Sequence, residues 1–119
     1  MSSTVDHIAI LVDDLKIATK WYIDKVGGVV THEQENYVRL KLKNVNLALL
    51  STKYATSKRH IGILCEKLED LPADVTLIEH RDGTIGTYMK DPFGNNIEFI
   101  HYSEKSKNFL NWGYINEKI

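Results

Sequence analysis

Residues 90–101, KDPFGNNIEFIH, join a turn to an apolar strand that carries a single carboxylate. Asp91-Pro92-Phe93-Gly94 has the turn residues, with proline presetting one backbone angle and glycine free to take a positive one. The strand that follows sets Glu98 among Ile97, Phe99 and Ile100. A carboxylate in such a run is costly to bury unless a positive group or several donors meet it. The reading of the chain therefore begins with what Glu98 is paired with.

Internal repetition supplies a candidate. Asp6-His7-Ile8-Ala9-Ile10-Leu11-Val12 recurs as Arg59-His60-Ile61-Gly62-Ile63-Leu64-Cys65, and Asn46-Leu47-Ala48-Leu49-Leu50-Ser51 recurs as Asn96-Ile97-Glu98-Phe99-Ile100-His101. His7 lies 41 positions before Ala48 and His60 lies 38 before Glu98, so the chain reads as two copies of one unit. Each copy opens on a histidine-bearing strand, and only the second closes on a carboxylate. His7, His60 and Glu98 are then a candidate cluster of two imidazoles and one carboxylate, the donor set of a divalent transition metal.

The chain of 119 residues is expected to be a single domain (1–119), with 43% apolar content enough for one modest core. Fifteen basic residues against 16 acidic ones, without a basic run, give no electrostatic case for nucleic acid or an anionic membrane. Cys65 is the only cysteine, which excludes an internal disulfide and suits a reducing cytoplasm. No apolar run approaches membrane length, so a cytoplasmic protein is expected.

In order, residues 4–12 predict a strand, and Asp13-Asp14 supplies a helix cap. Leu15 to Val26 has helical spacing and stops at Gly27-Gly28. Strands follow at 29–32, 37–43 and 45–51, and residues 52–58 read as a linker. Strand 59–65 opens the second copy; residues 66–74 hold Pro72 and have room for only about two helical turns. Strands 75–79 and 84–90 flank His80-Arg81-Asp82-Gly83, with Asp-Gly as the turn pair, and 95–102 closes the copy. The segment 103–119 carries Phe109, Leu110, Trp112, Tyr114 and Ile115, too apolar for a free tail, and is expected to cover its own domain or make an isologous dimer contact.

The paired βαβββ units (4–51 and 59–102), their strand-one histidines and the closing DPFGNNIEF resemble the vicinal oxygen chelate superfamily. That group takes in glyoxalase I, bleomycin-resistance proteins, fosfomycin-modifying enzymes, methylmalonyl-CoA epimerase and extradiol dioxygenases. The resemblance implies an α+β fold in which two βαβββ modules form a glyoxalase-type sheet half-barrel. It also implies metal ligands at His7, His60 and Glu98. Where glyoxalase I and the epimerase take a fourth ligand, this chain offers only Asn46 to Ser51, so three protein ligands are expected. Tyr88, ten positions before Glu98, matches a tyrosine of the fosfomycin transferases and extradiol dioxygenases, and reads equally as a catalytic donor or a packing residue. Arg81 is a candidate clamp for an anionic substrate, set against the commoner reading of a solvated arginine beside an Asp-Gly turn. His32, His80 and His101 read as ordinary polar surface residues.

The resemblance thus implies an enzyme that uses one divalent ion (Fe, Mn, Ni, Co or Zn) on a small substrate with vicinal oxygens. Lyase, thiol transferase and ring-cleavage dioxygenase chemistry all stay open. The alternative is a metal-free, drug-sequestering binder whose cavity is lined by Ala9, Leu11 and Gly62.

Overall fold

A computed structural model describes residues 3–53, 58–80, 83–104 and 106 of the chain. Its elements are β1 (Thr4–Val12), α1 (Leu15–Val26), β2 (Val29–Gln34), β3 (Tyr37–Lys41), β4 (Asn46–Ser51), β5 (His60–Leu64), β6 (Ile78–Glu79), β7 (Ile85–Lys90) and β8 (Asn96–His101). Contacts divide them into an N-terminal unit, Val5–Ile61, and a C-terminal unit that runs from Gly62. Strands and one helix, segregated in this way, make the class α+β.

In the N-terminal unit the strand order is β2-β3-β4-β1, with β1 parallel to β4 and the other pairs antiparallel. The parallel pair requires a crossover, and α1 opens it. The Asp14 carboxylate accepts the Ile17 N–H at 3.0 Å, and Gly27 ends the helix at φ 71°, where its N–H reaches the Ile23 carbonyl. Val38, Leu40, Leu47 and Leu49 form the core, against which Leu15, Ala18 and Tyr22 of α1 pack. Because side chains alternate along a strand, Leu47 and Leu49 face α1 while Asn46, Ala48 and Leu50 face away. The register sets His7 beside Asn46 and Ala9 beside Ala48, so His7 also lies on the face without the helix.

In the C-terminal unit the order β6-β7-β8-β5 repeats the order of the first. The sequence repeat is therefore a repeat of topology. The turn that anchors it is built by Asp91, whose carboxylate accepts the Phe93 and Asn95 backbone N–H groups at 2.8 and 2.9 Å and the Asn95 side-chain amide at 2.8 Å. Gly94 takes φ 87° there. β8 then pairs antiparallel with β7, Tyr88 opposite Glu98 and Gly86 opposite Ile100. A Cβ on Gly86 would collide with the Phe99 carbonyl oxygen, so this position tolerates only glycine without a shift of the strands.

The second copy departs from the expected βαβββ in two places. Its crossover is a single 3-10 turn, Leu68–Asp70, rather than two helical turns. Leu71, held extended before Pro72, ends it. The strand expected at 75–79 is only Ile78–Glu79, a short edge that pairs with Ile85 and Gly86. The expected linker 52–58 is described only in part, and the tail contact expected of 103–119 lies almost wholly outside the described residues.

Candidate metal centre

β1 carries His7 and β5 carries His60, and in the N-terminal unit their Nε2 atoms stand 3.0 Å apart, with the rings edge-on at 90°. What this contact means depends on where the protons are, and the other nitrogen of each ring decides it. His60 Nδ1 lies 2.8 Å from the Lys58 carbonyl oxygen, which can only accept, so Nδ1 carries the hydrogen. His7 Nδ1 lies 2.8 Å from the Asp6 carboxylate and donates to it for the same reason. In the neutral rings both Nε2 atoms then present lone pairs, 3.0 Å apart, and a cation beside them would draw on both.

Imidazoles whose outer nitrogen is tied to a carboxylate or carbonyl are how metal sites hold histidine ligands. The residues present thus fit a divalent ion on donor chemistry and orientation. Asp6 is itself tied down. Its side chain is largely buried, Arg39 Nη2 approaches it at 3.9 Å, and its backbone carbonyl accepts the Asn46 amide at 3.2 Å. Asp6 and the Lys58 carbonyl were not singled out from sequence. The Asp6-His7 dipeptide was the available signal, and its counterpart Arg59-His60 lacks the acid, which is why the main chain takes over there.

In the C-terminal unit Glu98 is 5% exposed. The Tyr88 hydroxyl donates to it across the β7–β8 pair. Burial, then the Glu98 charge and that hydrogen bond, raise the Tyr88 pKa well above the ordinary tyrosine value. Tyr88 is nevertheless half-exposed, so its hydroxyl is a held proton within reach of a small molecule. His80 departs from the surface role expected of it: its Nε2 is shielded from water, has no hydrogen-bond partner, and faces Glu98 Oε2 at 3.8 Å. His101 is also half-buried, its Nδ1 donating to the Cys65 carbonyl at 3.0 Å. His32 contacts Thr31 Oγ1 at 3.4 Å. Arg81 lies outside the described residues.

Ala48, the counterpart of Glu98 in the first copy, is buried between Ala9 and Arg39 in the register and offers no ligand atom. His7 and His60 belong to the N-terminal unit and Glu98 to the C-terminal unit.

Solved structures share this arrangement of strands. Methylmalonyl-CoA epimerase from Mycobacterium tuberculosis matches with a TM-score of 0.69 at 18% identity, over 88% of this chain and 91% of that one. A glyoxalase/bleomycin resistance protein/dioxygenase superfamily member from Vibrio splendidus matches with a TM-score of 0.62 at 14% identity, over 84% and 99%. The fold is glyoxalase-type. A variant of the Streptomyces coelicolor methylmalonyl-CoA epimerase in complex with 2-nitronate-propionyl-CoA has the same glyoxalase-type fold, with a TM-score of 0.63 at 20% identity over 84% and 98%. At such identities the likeness is one of fold. No protein-family model matches the sequence, and no curated protein matches it.

Proposed function

We propose that the protein is a divalent-metal-dependent enzyme of the glyoxalase/dioxygenase type acting on a small substrate with vicinal oxygens. One ion is held by His7, His60 and Glu98. What supports the reading is that the two Nε2 atoms stand 3.0 Å apart while the Nδ1 atoms are turned to Asp6 and the Lys58 carbonyl, the orientation of histidine ligands. A bound ion supplies Lewis acidity, polarising a substrate oxygen. Fe, Mn, Ni, Co and Zn all suit this donor set.

The remaining steps belong to the chain. Glu98 contributes negative charge from a dry position. Tyr88 keeps its proton at neutral pH and offers it as a hydrogen bond to a substrate oxygen, while Glu98 anchors the hydroxyl. Arg81 clamps an anionic group of the substrate. The neighbouring epimerases bind CoA esters by their descriptions, which adds a thioester to the substrate classes worth trying. We place the protein in the cytoplasm as a single glyoxalase-like domain and assign a homodimer contact to segment 103–119. Among the described residues no helix is long and apolar enough to cross a membrane.

The test is elemental analysis of protein purified without chelator, set against His60→Ala. The expected result is near-stoichiometric metal in the parent and a large loss in the variant. Equal and negligible metal in both would leave the metal-free binder. A panel of a catechol, a methylglyoxal-thiol adduct, an epoxide and a branched acyl-CoA thioester then separates the reaction types.

A further inference from the structure

Among the described residues of the C-terminal unit, the shielded His80 Nε2 stands out as a ring nitrogen that the proposed chemistry does not use. Its backbone is fixed on both sides: the His80 N–H donates to the Thr84 carbonyl at 2.7 Å, and the Gly83 N–H donates to the His80 carbonyl at 2.9 Å, with Gly83 at φ 88°. Thr84, on the far side of the turn, is fully buried. The turn therefore fixes the main chain from which the ring projects. The ring faces Glu98, whose Oε2 lies 3.8 Å from Nε2.

That gap is about 1 Å longer than a hydrogen bond to a carboxylate. Leaving a ring nitrogen dry and unbonded is costly, so both partners gain from closing it. Small torsions of the Glu98 side chain are enough. A carboxylate has roughly four lone-pair sites, so Glu98 can accept from Tyr88 and from His80 and still present an oxygen to a cation. A donor from another strand end adds to the Tyr88 bond and restricts how the carboxylate turns.

We propose that His80 is a positioning residue for Glu98: in its neutral form it donates Nε2–H to the carboxylate and holds it in the orientation that ligates the ion. This rests on the metal reading above. Outer partners of this kind are worth 10–100-fold in metal affinity.

The experiment measures the dissociation constants of Ni(II) and Zn(II) by competition with a chelating indicator. The proteins are the parent, His80→Ala, His80→Gln, Glu98→Gln and the His80→Ala/Glu98→Gln double variant, each with its metal-free melting temperature. His80→Ala is expected to weaken binding 10–100-fold. His80→Gln, which retains a donor near the Nε2 position, is expected to recover most of the loss. In the Glu98→Gln background the His80 change is expected to cost less than about threefold, the mark of a residue acting through Glu98. Binding by His80→Ala within about twofold of the parent, or a His80→Gln as weak as His80→Ala, overturns the proposal. A parent that binds neither metal removes the metal reading itself, whereas a parent that binds and a His80→Ala that binds equally removes His80 alone.

Discussion

Replacing His60 by alanine should separate what the histidine pair costs from what it is for. In the parent without metal, two Nε2 lone pairs stand 3.0 Å apart with no hydrogen between them in the neutral rings. Two imidazole nitrogens this close in part-buried rings repel by on the order of 1 kcal/mol. The substitution relieves that repulsion. It also gives up the exposed bond to the Lys58 carbonyl, worth about 0.5–1.5 kcal/mol, and an edge-on ring contact of similar size. These terms oppose one another, and the metal-free melting temperature should move by only a few degrees. With metal the two proteins part. At a free ion concentration one hundred times the dissociation constant, binding adds about 2.7 kcal/mol, roughly 8–16 °C for a domain of this length. The parent should show that rise in thermal melts with Ni(II), Co(II) or Zn(II) and lose it with chelator, while His60→Ala should stay near its metal-free value. A variant that rises as far as the parent would refute the assignment of His60 as a ligand. A variant that loses several kilocalories without metal would show that the pair is structural.

Three further outcomes follow from the fold. Gly86→Ala, which forces a methyl group into the Phe99 carbonyl oxygen, should cost about 1–3 kcal/mol; an unchanged urea midpoint would mean that the two strands part freely. The Asp91 carboxyl is held below its ordinary pKa, chiefly by the Asn95 side chain and then its backbone N–H. A lowered folded value stabilises above the unfolded pKa, about 3.9, and the benefit is lost as pH falls through the folded value. The melting-temperature gap between parent and Asp91→Asn should therefore be widest at neutral pH and close in acid, and a gap that widens in acid would contradict the turn geometry. Burial, then the Asp70 charge, pushes the Cys65 thiol up. Labelling by a disulfide reagent near pH 8 should track unfolding, and completion within seconds in native buffer would show the strand to be open.

How far the sequence reveals this molecule depends on whether a feature is local. The Asp14 cap, the Gly27 stop and the Asp91 turn are each written in a few adjacent residues, and all three form as expected. The duplicated HI.IL strands identified the two histidines, and their rings meet in the N-terminal unit. The short 3-10 crossover was half legible: Pro72 announced a break but not that the turn before it would tighten to three residues. His80 and Asp6 were not legible as partners. His80 reaches Glu98 only because β6 and β8 flank β7 in a particular register, and Asp6 matters because one ring turns its Nδ1 that way. Polar side chains that act on other side chains leave no periodicity behind.

The two imidazoles are steered by different kinds of group, a carboxylate for His7 and a peptide carbonyl for His60. A point mutation at residue 6 can delete the first support, but none at residue 58 can delete the second, because every amino acid brings the same oxygen. The duplicated strands are thus unequally exposed to drift. Anyone transplanting the pair into another scaffold must copy a side chain on one strand and only the path of the main chain on the other.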